Sequence, residues 1–444
     1  MSHGTTAKIT SHLAIALDSI VSKIDRALIA QRLTPQKRET ILGPYLRWRW
    51  WRSRQGRYIR AKAREFRAKD CIRVAFLVIN VPCWKAKSLY LAMERHPRFE
   101  PVIWLVRENQ IKDEVEQTRV YESALAYFRN NGYRVYTEET PKEFIESFHP
   151  DICFFPKPYD WVCPFSYDEL TGLTLCDIYY AFHNSTSADE YKHDVILKSL
   201  YDFCENEYTQ KTARILTNNA GANTYVSGHP MADQFLSPVA GEPAWKELPT
   251  PHKKVIWAPH WTIPGAAAWF RVATFMKTAE TMLNLAREYK GEIQFAFKPH
   301  PLLRHALYNN PDWGQEKTDA YYREWETMEN TQLETGEYVD LFLQSDAMIH
   351  DSGSFILEYL LVDKPALYLV KEGPRPEFNE QTLAAIESHY QGASGEDIKR
   401  FIKEVVLGGA DTKRKARLRV VDAYLRPPHG KSAAENIIDA LLHG

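Results

Sequence analysis

Short, almost wholly apolar runs recur along this chain with helical stretches between them, and this alternation restricts the fold more than any other feature. Residues 74–79, 101–106, 133–136 and 151–155 read as strands, with helices over 87–95, 114–131 and 141–148 between them. Residues 177–180 and 224–227 continue the series. Strands that are apolar throughout are buried on both faces, and helices at this spacing supply the cover. The expected result is a set of βαβ units around a parallel sheet. After a segment rich in Pro and Gly at 236–253, read as a linker, the pattern restarts. Strands are expected at 254–258, 293–297, 346–350 and 365–370, and helices at 265–290, 355–361, 395–406, 411–424 and 433–442. Residues 302–334 read as polar and irregular.

A chain of 444 residues has room for two such α/β domains, and its 12 Trp, 24 Tyr and 20 Phe supply large cores. A net charge of -1 offers no reason to expect a nucleic-acid partner. The cysteines, Cys71, Cys83, Cys153, Cys163, Cys176 and Cys204, form no CxxC pair and read as free thiols of a reducing cytoplasm. No apolar run reaches the roughly 18 residues of a membrane span, and the N-terminus lacks a signal-peptide pattern, so a cytoplasmic location is expected. Residues 1–70 differ in texture, with 16 Lys and Arg against 5 Asp and Glu. Helical spacing runs over 8–34 and again from about Leu46 to Asp70, where Trp48, Trp50, Trp51, Tyr58 and Phe66 alternate with arginines. Such a basic, aromatic extension suits an anionic membrane surface, which would make the protein peripheral on the inner membrane face. The competing expectation is that both helices pack on the core or on another subunit, with their Trp residues buried and their Arg residues paired with the acidic remainder of the chain.

Polar residues collect just after the strands, where ligands of open α/β sheets bind. Asp351-Ser352-Gly353-Ser354 follows an apolar run and opens a helix, so its backbone N–H groups and hydroxyls could cradle a diphosphate. Simple helix capping is the alternative. Glu358, one turn on, could accept from ribose hydroxyls or be solvated helix charge. Lys298-Pro299-His300-Pro301 holds a Lys and a His between stiffening prolines at another strand end. His260, Trp261 and Thr262 follow a third, where turn packing is the alternative. In the first half, His183 lies in a polar loop after a strand, and Ser227-Gly228-His229-Pro230 reads as strand, turn and helix start.

These stretches, in this order, resemble the CDP-glycerol glycerophosphotransferase family, the primases and polymerases of teichoic acids. Phe182-His183-Asn184 stands where the family has Trp-His-Gly. Gly228, Pro230 and Asp233 match its Gly-x-Pro-x-x-Asp, and Lys298, His300 and Pro301 its Lys-x-His-Pro. Asp351, Ser354 and Glu358 match its Asp-x-x-Ser turn and following acid, and Gly430-Lys431-Ser432 its closing segment. Asn184, Ser352-Gly353 and His260-Trp261 depart from the family pattern. The likeness runs from about Phe182 to the C-terminus.

The resemblance implies a GT-B fold, two Rossmann-like domains facing a cleft, here with an N-terminal helical extension. The expected boundaries are 1–70 for the extension, 71–240 for an acceptor domain, 250–425 for a nucleotide-donor domain and 426–444 for a closing helix. The resemblance also implies that His183 is the catalytic base and that His300 acts beside it. Lys298, His260, Asp351, Ser352, Gly353, Ser354 and Glu358 would bind a CDP-linked donor, and Gly228, His229 and Asp233 would line the cleft. The acceptor would be a glycan or lipid-linked hydroxyl. No metal site is expected, only Mg²⁺ travelling loosely with the donor. A glycosyltransferase using a nucleotide sugar, a nucleotide-sugar 2-epimerase and an inactive binding subunit remain as alternatives.

Overall fold

The computed structural model describes residues 19–24, 34–155, 165–170, 172–238, 241–266, 271–373 and 376–444. Two parallel sheets organise it. The first contains β1 (Ile72–Val78), β2 (Phe99–Leu105), β3 (Val135–Tyr136), β4 (Ile152–Phe155), β5 (Leu175–Ile178), β6 (Tyr201–Cys204) and β7 (Thr224–Val226), in the order β3-β2-β1-β4-β5-β6-β7. The second contains β8 (Lys253–Ala258), β9 (Ile293–Phe297), β10 (Thr331–Leu333), β11 (Ala347–His350), β12 (Ala366–Leu369) and β13 (Tyr390–Gly392), in the order β10-β9-β8-β11-β12-β13. Each order reverses at one point, between β1 and β4 and between β8 and β11. At such points the loops diverge to opposite faces and leave a crevice at the carboxyl ends of the strands.

The apolar runs are buried on both sides, and the pleat divides them. Val74, Phe76 and Val78 of β1 enter one core, while Ala75 and Leu77, with Ile79 beyond the strand, enter the other. In β8, Val255 and Trp257 face one layer, Ile256 and Ala258 the opposite one. Burying each large side chain contributes about 1.5–3 kcal/mol, so the centres of the two sheets dominate stability.

Four expectations need correction. Residues 302–334 are ordered, forming helices Leu303–Tyr308 and Gly314–Thr327 before β10. Tyr321, Tyr322 and Trp325 share one buried helix face against Phe297, while the charged Glu316, Lys317, Arg323 and Glu326 face outward. Of the helix expected over 265–290, the described residues form Phe275–Glu288, and just before it the N–H groups of Val272 and Ala273 are taken by Thr262 Oγ1 rather than by a helical carbonyl; residues 267–270 lie outside the described residues. The linker segment packs on the second domain through Trp245, whose indole donates to Leu341 O at 3.2 Å.

The fourth correction concerns the N-terminal extension. Helices Pro35–Arg52 and Arg54–Arg67 do not stand apart; Ile59, Ala63 and Phe66 are buried in the first domain's core with the C-terminal helix Ala433–His443. Trp51 donates to Ala222 O at 3.0 Å, and Arg67 to Leu441 O at 2.7 Å and Ala440 O at 3.0 Å. Trp50, Trp51 and Phe66 are therefore packing residues, and only Trp48 and Tyr58 of that aromatic set are exposed. Most of the helix expected over 8–34 lies outside the described residues, although 19–24 are helical. No helix among the described residues is long and apolar enough to cross a membrane.

Candidate active site between the two sheets

At the reversal point of the second sheet, the chain leaving β8 and the chain leaving β11 are tied together. Asp351, immediately after β11, accepts from His260 N, from Thr274 N and from Thr274 Oγ1 at 2.7 Å. Burial lifts its carboxyl to about 6 despite these donors. Asp351 thus clamps the two chains together, both its oxygens being engaged with backbone and hydroxyl groups. Ser352 and Gly353 are buried, and Ser354 is half-buried at the start of the helical turn Phe355–Glu358.

His260 and His300 meet at this crevice with ring centroids 4.9 Å apart. His300 Nδ1 accepts from Leu302 N at 3.1 Å, which assigns its proton to Nε2. Thr262 Oγ1 already accepts two backbone N–H groups, so its own proton goes to His260 Nδ1, 3.0 Å away. Loss of hydration lowers His260's pKa, and the ring is neutral. Both imidazoles consequently carry an Nε2–H, a donor pair suited to phosphate oxygens.

Lys298 and Glu358 lie deeper. Lys298 Nζ donates to Gly336 O at 2.8 Å, and burial lowers its pKa to about 8. Glu358 is 0% exposed and accepts from Tyr338 OH; Lys85 Nζ from the first domain stands 3.8 Å from its other oxygen. Lys85 also donates to Tyr338 OH. Glu358 is therefore neither solvated helix charge nor open to a ribose in this arrangement. It is one end of a contact between domains.

On the opposite side, His183 lies five residues past β5 and Glu205 directly after β6. His183 Nδ1 donates to Glu205 Oε2 at 3.0 Å, and His183 N donates to Oε1 at 3.0 Å. The ring is sandwiched by Tyr179 and Tyr191, with centroids at 4.2 and 5.0 Å. Burial alone would strip its proton, but the Glu205 carboxylate outweighs burial and raises His183 to about 9. The same pairing overcomes burial at Glu205 and lowers it to about 2. A carboxylate on Nδ1 fixes the tautomer and leaves Nε2 as the atom that can exchange a proton with substrate.

The Gly228–Asp233 stretch makes close packing and hydrogen-bond contacts. Gly228 has φ +83°, and a Cβ there would fall 2.6 Å from Pro427 Cβ. His229 Nε2 donates to Tyr179 O at 2.7 Å while Nδ1 accepts from Met231 N at 3.1 Å; burial lowers it to about 4, so it is a neutral packing residue. Asp233 accepts from Ala433 N at 2.8 Å and Ala434 N at 3.0 Å, holding the start of the last helix. Ser432, from the closing segment, caps that helix reciprocally with Glu435. The motif fastens the returning C-terminal helix to the first domain.

Several participants were not anticipated: Glu205, Lys85, Tyr338, Asn379 and Gln381. Asn379 Nδ2, from the second domain, donates to His183 O at 2.8 Å, and Gln381 Nε2 donates to Glu205 Oε1 at 3.1 Å. Among these, Glu205 had a local signal only in the helix-capping Asn206 that directly follows it.

Comparison with known proteins agrees with this arrangement. Among solved structures, the wall teichoic acid polymerase TagF aligns with a TM-score of 0.54 at 13% identity, covering 91% of this chain and 96% of that one. TagF soaked with CDPG aligns at 0.52 and 14% identity, covering 91% and 97%. A putative UDP-N-acetylglucosamine 2-epimerase from Listeria monocytogenes aligns at 0.52 and 13% identity, covering 84% and 96%. At these identities the likeness shows the shared fold, that of GT-B proteins. A search of curated protein sequences finds no match. The family model for CDP-glycerol:poly(glycerophosphate) glycerophosphotransferase matches residues 169–442, more than half of the chain and all the motif residues above. On that span, and on the two facing sheets that present it, the chain belongs to the CDP-glycerol:poly(glycerophosphate) glycerophosphotransferase family.

Proposed function

We propose that this transferase moves a glycerol-phosphate or closely related polyol-phosphate group from a CDP-linked donor to a hydroxyl of a glycan or lipid-linked acceptor. The observation that carries this reading is the buried His183–Glu205 pair of one domain, whose backbone is held by Asn379 of the other. His183 Nε2 takes the proton of the acceptor hydroxyl. The hydroxyl oxygen attacks the glycerol-bearing phosphorus in line, and the bond from that phosphorus to the CMP oxygen breaks. The products are a phosphodiester and CMP. The Nε2–H groups of His260 and His300 stabilise charge on the phosphate oxygens, and the Ser352–Ser354 turn receives the diphosphate. Positioning and charge stabilisation carry most of the catalysis in such transfers. Mg²⁺, where it takes part, arrives with the donor.

The test is incubation of the protein with CDP-glycerol, CDP-ribitol and common nucleotide sugars, each with and without acceptor, followed by nucleotide chromatography. Acceptor-dependent release of CMP from a CDP-polyol is the expected result. Release of a nucleotide only from a nucleotide sugar would replace this reading with a glycosyltransferase.

The N-terminal helices retain a smaller role at an anionic membrane surface, through exposed Ile41, Trp48 and Tyr58 beside their arginines. Salt-sensitive co-sedimentation with anionic vesicles, weakened by Trp48→Ser, is expected. Absence of binding at low salt removes this role.

A further inference from the structure

The candidate base is not completed by its own domain. His183 O is the acceptor for two side chains of the second domain, Asn379 Nδ2 at 2.8 Å and Gln381 Nε2. The same Gln381 Nε2 reaches Glu205 Oε1 at 3.1 Å, so one amide group spans the backbone of His183 and the carboxylate that pairs with its ring. Gln381 Oε1 is engaged as well, accepting from Asn206 Nδ2 at 2.8 Å. Asn206 caps the helix Glu207–Leu216 and directly follows Glu205. Asn379 caps its own helix, Glu380–Ser388, through Thr382 N at 3.0 Å. Both amide side chains are thus fixed by their surroundings, and Gln381 is 0% exposed. Asn379 N also donates to Asn184 O at 3.1 Å, and Ser185 bridges to Phe378. The loop bearing His183 is consequently laid along residues 378–381 of the donor domain.

Separation of the domains would remove two donors from His183 O and one from Glu205. A buried polar group that loses its partner costs about 1–3 kcal/mol, so the loop and the carboxylate would rearrange rather than keep this geometry. We propose that Gln381, with Asn379, is a positioning residue that assembles the His183–Glu205 pair only when the donor domain is closed against the acceptor domain. Proton transfer would then be available in the closed state, with the transferable phosphate in place, and not in the open one. The proposal rests on His183 as the base, but the coupling between the domains can be tested apart from that role.

The titratable groups facing His183 define the electrostatic side of the test. They are Glu205 after β6, Asp202 within β6, Asp177 within β5, Glu190 and Tyr191 from the turn Ala188–Tyr191, and His229 after β7. Gln381 contributes a donor with no charge to this acidic setting. Gln381→Glu keeps the shape and replaces the donor with another carboxyl group. Gln381→Leu removes the polar group altogether.

For Gln381→Leu, the expected result is a kcat about 10- to 100-fold lower with the donor KM changed less than twofold, because misplacement of the base affects the chemical step. For Gln381→Glu, the ¹³C-histidine resonance of His183, identified by its loss in His183→Gln, is expected to titrate at a pH higher by about half a unit or more. Asn379→Ala should reproduce the kcat effect of Gln381→Leu in part. If Gln381→Leu does not fold, Gln381→Glu decides the matter through the His183 resonance. A folded Gln381→Leu with wild-type kcat, or a Gln381→Glu protein whose His183 titrates as in the wild type, overturns the proposal. Full activity in His183→Gln would instead remove the base assignment, while the resonance shift would still report the coupling across the domains.

Discussion

Replacing Glu205 by Gln tests the His183 pair where its electrostatics are strongest. His183 is raised from 6.5 to about 9, and Glu205 is lowered from 4.5 to about 2. Each shift is about 2.5 pH units, or about 3 kcal/mol, and the two describe one interaction counted once. A histidine whose folded pKa exceeds its unfolded value stabilises the fold fully below about pH 6.5, and this contribution is lost as pH rises through about 9. Glu205→Gln should therefore unfold about 3 kcal/mol more easily than the wild type near pH 6, with the gap narrowing towards pH 10. Catalysis responds in a second way. With its pKa near 9, only about 1% of His183 is neutral at pH 7, so wild-type kcat/KM should climb about tenfold per pH unit until about 9. In the variant the amide oxygen keeps the donors of the Oε1 side, the His183 backbone N–H and the Gln381 side-chain Nε2, and its NH₂ faces Nδ1. The imidazole proton then moves to Nε2, the wrong tautomer for a base. A rate loss on the order of a thousandfold or more should follow, with the alkaline climb abolished. Urea unfolding at pH 6, 8 and 10 and pH–rate profiles of both proteins are the assays. A stability gap independent of pH, or an unaltered climb in the variant, would refute the reasoning.

Other variants probe separate parts of the molecule. His300→Ala and Ser354→Ala should abolish transfer with circular dichroism and melting unchanged, since both are half-buried at a polar edge; normal turnover in a folded His300→Ala protein would displace the donor site. Gly228→Ala should lower Tm, with a cost of about 1–3 kcal/mol, because it combines a positive φ with a contact at 2.6 Å to Pro427. Phe66→Ala should cost about 3–5 kcal/mol by urea denaturation, because Phe66 is a core residue at 2% exposure. Deletion of residues 1–68 should for the same reason yield insoluble protein, and a soluble, active truncation would contradict the packing described.

The strands at the centre of each sheet were legible because burial on both faces leaves them almost no polar residue. β6 escaped notice for the opposite reason: Asp202 interrupts Tyr201, Phe203 and Cys204, and its neighbour Asp177 shares the same buried layer. Losing β6 hid Glu205, whose meaning depends on standing at a strand end beside His183. The motif residues were legible as a set, but not in their individual chemistry. Asp351 and Asp233 are spent on backbone N–H groups contributed by distant segments, at positions 260, 274, 433 and 434. No local pattern announces such partners. Glu358 likewise meets Lys85 only because the two sheets face each other. The tryptophans of residues 48–51 show the limit of reading aromatic helices: Trp48 and Trp51 sit three positions apart, and one faces water while the other donates to Ala222 O.

Above all, the proposed reaction forms its new bond at phosphorus. A donor CDP-glycerol labelled with ³²P at the phosphorus bearing glycerol tests this directly. Attack at phosphorus predicts that the label passes to the acceptor as a phosphodiester and that the released nucleotide is unlabelled CMP. Label retained in a released CDP, with the glycerol carbon transferred instead, would contradict it.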